Sequence, residues 1–349
     1  MRTKNVLRVG ALALGVTLIA TGCSGSPAEP NVAAPAADGW AEIATAAAKE
    51  GSVVVYGNKD AAAFEAFGAA FEAAYPGVDF EYIKAGSSGE ISIKIDQEET
   101  AGADGADVVI TTDEPWLTSK LATKSIIVPE GPTVTTPEWT DVLLGGAALP
   151  ISVEPFFIGW NTNLVKKAPK SHEDVLDNPQ FGEPGMVGMV DNVSSSIVVI
   201  YSTLEAGLKK AGYDGDYLDE FAKLKPRLYP GSTPMAQSLA SGEILVSIEQ
   251  SPAAIEAVKA TGAPVDYIVP EDYAVGITFY AAQLVNSKRP NASQALLDFM
   301  GTKKGQELLN GKIGESPVAS DKKVSSMSFE GLTEAKTKAF ASRFNALFK

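Results

Sequence analysis

Short runs of β-branched residues alternate with stretches of helical periodicity along most of this 349-residue chain, and no other feature limits its possible folds as sharply. Residues 52–56 (SVVVY) show no alternation of polar and apolar side chains, which fits a strand covered on both faces. A helix is predicted over 60–75, with Phe64, Phe67, Phe71 and Tyr75 on one face; such a stripe is read as packing against a sheet, not as a ligand box. Pro76 and Gly77 stop it. Strand 78–83, helix 88–100 and strand 107–111 (DVVIT) continue the series. The order β-α-β-α-β is that of a parallel sheet with right-handed crossovers.

The middle of the chain repeats this order less cleanly. Strands are predicted over 151–160, 186–190, 244–248, 265–269 and 278–285, and helices over 171–177, 194–211 and 251–260. A short helix over 40–49 precedes the series, and helices over 291–300, 303–310 and 332–348 close it. No internal sequence repeat is evident. The pattern reads as two αβ layers joined in mid-chain, with a helical return.

Before the globular part lies a different kind of segment. Arg2, Lys4 and Arg8 are followed by an apolar run over 9–20, about a dozen residues, whereas a bilayer span needs roughly 20. The run ends in Ala20-Thr21-Gly22-Cys23, which resembles the lipobox of bacterial lipoproteins, with Ala20 where a larger aliphatic residue is usual. The reading is a signal peptide over 1–22, lipidation at Cys23, and a tether over 23–37 rich in Ser, Pro and Ala. Such a chain is held through its lipid at the outer face of the cytoplasmic membrane. Cys23 is the single cysteine, so no intramolecular disulfide supports the fold. With 43 acidic and 29 basic residues the chain carries a net charge of −14, and cleavage before Cys23 would remove three of the positive charges. That field repels phosphate backbones, so nucleic acid is excluded as a partner.

In open α/β sheets ligands gather at the carboxyl ends of strands, where helix N-termini present free N–H groups. The loops predicted there are polar and small: Asn58-Lys59, Ser87-Ser88, Thr112-Asp113, Ser194-Ser195-Ser196 and Gln250-Ser251. The same residue types cap helices everywhere, so each loop alone is weak and the set together is the signal. Catalytic patterns are thin. The single histidine, His172, falls in the capping box Ser171-x-x-Asp174 and is expected to serve at the surface or in the cap. No nucleophile elbow, phosphate-binding Gly-Lys loop or Cys/His cluster is present in the sequence. The chain is therefore read as a binder and not an enzyme, with no cofactor and no metal site.

Between Glu50 and Leu121 the Val-rich strand after a glycine, the helix ending in Tyr75-Pro76-Gly77, the Gly-Ser-Ser-Gly-Glu turn and Ala-Asp-Val-Val occur in the order seen in bacterial extracellular solute-binding proteins. Trp160-Asn161-Thr162-Asn163, Ser241-Gly242-Glu243, Gly262-Ala263-Pro264-Val265 and Gly305-Gln306 extend the likeness over most of 40–345. The chain most resembles the branch that includes ferric-iron, thiamine and phosphonate binders of ABC importers. The resemblance implies an α/β fold of the type II periplasmic-binding-protein kind, two lobes joined by a hinge. Lobe one would be 38–155 plus 270–349, and lobe two 156–269. A monomer would close on a small-molecule solute and dock on the permease subunits of an ABC importer. Ferric binders of this branch usually hold the metal on adjacent tyrosines in the second lobe, where this chain has Ser251-Pro252-Ala253-Ala254 and no Tyr-Tyr pair. Asn58 also stands where some of them carry histidine. A small polar or anionic solute, such as a phosphonate or phosphate ester, is thereby favoured. Its donors would be Lys59, Ser87, Ser88, Ser194 and Ser195, with Tyr273 or Phe156 as an apolar wall. Ferric iron held by other ligands, and a sensing role beside a membrane receptor, stay open as alternatives.

Overall fold

The computed structural model describes residues 39–349 except 60, 192–194, 320–323, 328 and 330. The expected signal peptide, the expected anchor at Cys23, the expected tether and Ser194 lie outside the described residues.

The first layer is built in the order α1 (Trp40–Glu50), β1 (Ser52–Gly57), α2 (Ala61–Ala74), β2 (Asp79–Lys84), α3 (Ser88–Ala101), β3 (Val108–Thr111), α4 (Glu114–Ala122), β4 (Ile126–Ile127), α5 (Pro137–Thr140) and β5 (Leu149–Pro155). The valine run of β1 is continuous because both of its faces are covered. Val53 and Val55 join Phe64, Phe67 and Phe71 of α2 in one core, while Val54 and Tyr56 join Ile91 and Ile95 of α3 in another. The aromatic stripe of α2 is core: Phe67 and Phe71 meet Phe299, with ring centroids 5.3 and 5.8 Å apart.

Residues 151–160 do not make one strand. The chain breaks at Phe156, between β5 in the first sheet and β6 (Phe157–Asn161) in the second. Pro155 offers no N–H to the ladder, and the Phe156 N–H, donating to Val275 O of the returning strand over 274–284 at 2.8 Å, is the last tie to the first sheet before the chain crosses to the second. The second layer then runs α6 (His172–Asp177), β7 (Val187–Val190), α7 (Ser195–Ala211), α8 (Tyr217–Lys223), β8 (Arg227–Tyr229), α9 (Ser232–Ser241), β9 (Val246–Gln250), α10 (Pro252–Ala260) and β10 (Val265–Ile268). The chain returns through β11 (Ala274–Leu284), α11 (Pro290–Gly301), α12 (Lys303–Asn310), β12 (Val324–Ser326) and α13 (Glu334–Phe348).

The two sheets share a plan. In the first, β2, β1 and β3 are parallel and adjacent, and β11 follows antiparallel to β3; β12, β4 and β5 also pair with β11. In the second, β8, β7 and β9 are parallel, and β6 follows antiparallel to β9 with β10 beyond it. The fold is a two-lobed α/β architecture.

One element departs from the expected grouping of 270–349 with the first lobe. Phe340, Phe344 and Phe348 of α13 form an apolar stripe that packs on the second lobe's core with Tyr201 and Phe221. Arg343 ties it down further, with Nη1 2.6 Å from Glu205 Oε2 of α7 and a second contact to Asp219 of α8. An amphipathic helix must cover its apolar face, and here the free surface of α7 and α8 supplies the cover.

Candidate functional site

The carboxyl ends of the parallel strands in both lobes lead into helix starts, and one cavity of about 310 Å³ collects several of them. Ser88, Gly89, Thr112, Asp113 and Pro115 line it from the first lobe, Ser196 from the second, and Phe329 from the segment between β12 and α13. Ser88 and Gly89 open α3, and Ser196 is the second residue of α7. N–H groups in these positions have no carbonyl of their own helix to reach, and the helix dipoles leave partial positive charge there.

Local chemistry fixes the first-lobe side. The Ser88 hydroxyl lies 2.9 Å from Thr112 Oγ1 and accepts from the Thr112 N–H at 3.0 Å, joining the loop after β2 to the loop after β3. Asp113 caps α4: Oδ1 accepts from Trp116 N and Oδ2 from the Ser92 hydroxyl, each at 3.1 Å. With Pro115 at the second position of α4, that helix contributes its dipole more than free donors. Behind the cavity, Glu114 is buried; Oε1 accepts from the Phe329 N–H at 3.2 Å and Oε2 lies 3.4 Å from the Tyr280 hydroxyl. Burial, reinforced by the Glu114 charge, pushes the Tyr280 phenol well above its ordinary range.

The cavity thus brings together Ser88, Thr112 and Asp113 of the candidates. Ser87 stands just outside, exposed, accepting from Glu90 N at 3.2 Å as the cap of α3. Ser195 starts α7, beside Ser196. Others have different work. Lys59 is no exposed donor: it is buried, paired with Glu154, 3.3 Å from Leu309 O, and its ammonium stands 4.7 Å from the centre of the Phe279 ring. Asn58 Oδ1 is buried without a hydrogen-bond partner among the described residues. Phe156 belongs to the second lobe's core. Gln250 is fully buried and donates to Ser232 O at 3.2 Å, and Ser251 caps α10 through its backbone. Tyr273 lies with its ring on Gly207 of α7, so neither expected wall faces the cavity. The wall it does have, Phe329, carries no mark in the sequence, whereas Ser196 stands at the end of a serine run that does.

His172 also departs from expectation. It is fully buried, with Nδ1 2.9 Å from Asp272 Oδ1 and Nε2 3.0 Å from Glu249 Oε1. Burial, the largest influence, pushes its pKa down, but the two carboxylates together outweigh it and raise it to about 9. Glu249 meets it from the end of β9 with a left-handed backbone, φ 47°, an uncommon conformation for a side chain of that size. Among the described residues no group of three or more His, Cys, Asp or Glu is disposed to hold a metal ion, and no helix is long and apolar enough to cross a membrane.

A two-lobed α/β body with helix starts from both lobes around one cavity defines a solute-binding class. Residues 52–312 match the bacterial extracellular solute-binding protein family, and the chain belongs to it. No curated protein matches it in sequence. Among solved structures it is similar to the substrate-binding protein of an ABC transporter from Agrobacterium tumefaciens, at 15% identity and TM-score 0.65, over 85% of this chain and 94% of that one. It is also similar to iron-bound HitA from Pseudomonas aeruginosa, at 20% identity and TM-score 0.56, over 85% of this chain and 97% of that one. The periplasmic binding protein AfuA from Actinobacillus pleuropneumoniae, with fructose-6-phosphate bound, matches at 20% identity and TM-score 0.56, over 85% of this chain and 98% of that one. At these identities the likeness establishes the fold alone.

Proposed function

We propose that this protein captures a small, hydroxyl-bearing oxyanion between its lobes and delivers it to the permease of an ABC importer, from a lipid anchor at Cys23 on the outer face of the cytoplasmic membrane. The observation that carries the reading is the meeting of the α3 and α7 starts, one from each lobe, at a single cavity with hydroxyl groups and no cationic side chain among its described lining residues. Oriented N–H groups and helix dipoles recognise an anion without a counter-charge. Asp113 adds acceptor capacity for a hydroxyl on the same solute. A solute that bonds both lobes at once favours the closed state through its differential affinity for that state. The hinge is assigned to Phe156 and the segment entering β11, with α13 moving with the second lobe. AfuA, with fructose-6-phosphate bound, is a precedent for a sugar phosphate as ligand on this fold. The iron reading loses support from Ser251-Pro252-Ala253-Ala254 after β9, which offers no phenolate to a hard cation.

The test is thermal unfolding with phosphate, phosphonates, phosphate esters, polyamines and ferric citrate. A cognate oxyanion at about 100 times its Kd adds about 2.7 kcal/mol and raises Tm by several degrees, and Ser88→Ala should remove most of that rise. Stabilisation by ferric citrate or a polyamine alone would overturn the assignment.

A further inference from the structure

The polar lining residues of the cavity, Ser88, Thr112, Asp113 and Ser196, stand at or just before the starts of α3, α4 and α7, and among its described lining residues Phe329 is the one aromatic. Phe329 sits on the strap that leaves the first sheet after β12 and enters α13 on the second lobe. Its place is fixed at both ends. The Phe329 N–H donates to buried Glu114 Oε1 at 3.2 Å, and its carbonyl accepts from the Leu332 N–H at 3.0 Å. Two residues earlier, the Met327 N–H donates to Gly276 O of β11 at 2.9 Å. The ring packs at the margin of the second lobe's core, to which Met327 and Phe344 belong.

We infer that Phe329 is a specificity-determining residue, the apolar wall against which the organic part of the solute rests, so that the site selects an organic phosphate or phosphonate over free inorganic oxyanion. The inference rests on the reading of the cavity as an oxyanion site. An inorganic phosphate presents oxygen on every side, and an oxygen turned to a phenyl ring loses water and gains no donor. An alkyl or sugar carbon in the same place removes apolar surface from water on both partners. The cavity, about 310 Å³, is at the lower end of small-molecule sites and holds an oxyanion with a compact organic group. Glu114 acts through the Phe329 backbone and is a positioning residue.

The experiment is calorimetric titration of the full chain with inorganic phosphate, methylphosphonate and glycerol 3-phosphate, repeated for Phe329→Ala and Phe329→Leu. The wild type should prefer an organic probe. Phe329→Ala should weaken that probe by about tenfold or more and leave inorganic phosphate within a few-fold, with Phe329→Leu in between. Circular dichroism melts check that each variant folds, and the leucine variant carries the same comparison if alanine does not. If the substitutions weaken every probe equally, or none, the wall assignment falls while the oxyanion reading stands. If the wild type binds none of the three, the oxyanion reading falls and takes the wall with it.

Discussion

His172→Gln takes one positive charge out of the most enclosed ion cluster of the second lobe while keeping a similar side-chain length. The imidazole bonds Asp272 and Glu249 at 2.9 and 3.0 Å, and its pKa of about 9 stands well above the ordinary 6.5. A raised pKa means the folded state holds the proton more tightly than the unfolded chain. The resulting stability is complete below about pH 6.5 and drains away as pH climbs through 9. The gap between those values corresponds to on the order of 3 kcal/mol. Glutamine forfeits that and leaves two carboxylates facing each other, so the loss near pH 6 should be about 3–5 kcal/mol. Near pH 9.5 the wild type has itself given up most of the proton, and the two proteins should differ by only about 1 kcal/mol. Urea unfolding of both, followed by circular dichroism at several pH values, reads the difference free of groups the two share. A gap that stays constant from about pH 6 to 9.5 would show that His172 is neutral in the fold, and the argument from Asp272 and Glu249 would be refuted.

Three further outcomes follow from the same geometry. Asp107 is fully buried and accepts from Val54 N and the Ser287 hydroxyl, each at 2.8 Å, and from Arg289; Asp107→Asn turns an amide donor toward these donors and should cost about 2–4 kcal/mol in urea unfolding. Alanine usually improves on glycine inside a helix by about 1 kcal/mol, but at Gly207 the added methyl would lie 1.9 Å from the Tyr273 ring, so Gly207→Ala should lower stability by about 1–3 kcal/mol. Lys59→Met should lower the melting temperature, because Glu154 loses its partner, yet leave oxyanion affinity within about twofold. A large loss of affinity would return Lys59 to the binding site.

What the sequence made legible was local. The valines of β1 and the phenylalanines of α2 declare their elements because covering and periodicity act within a few residues. The loop after β2 was readable for the same reason: Ser87 and Ser88 behave as helix-start residues whatever surrounds them. Failures came where a partner is distant. Lys59 looks like a free donor until Glu154, 95 residues away, is brought beside it. His172 looks like a surface cap until Glu249 and Asp272, 77 and 100 residues away, close around its ring. The apolar stripe of α13 announces that it will be covered but not by which lobe, and Phe329 takes its role from the path between β12 and that helix. Short β8 and α9 lack enough periods to rise above their flanks.

The placement of β11 has a consequence for how the chain assembles. The second sheet is drawn from one uninterrupted stretch between β6 and β10, but the first is completed by a strand that lies between β3 and β5 in space and after β10 in sequence. A chain emerging N-terminus first therefore carries β3 with an open edge until residues 274–284 appear. Through that interval the exposed edge is a template for pairing with other chains. The part synthesised first is thus the part whose sheet stays incomplete longest, until the strand drawn from beyond the second lobe closes it.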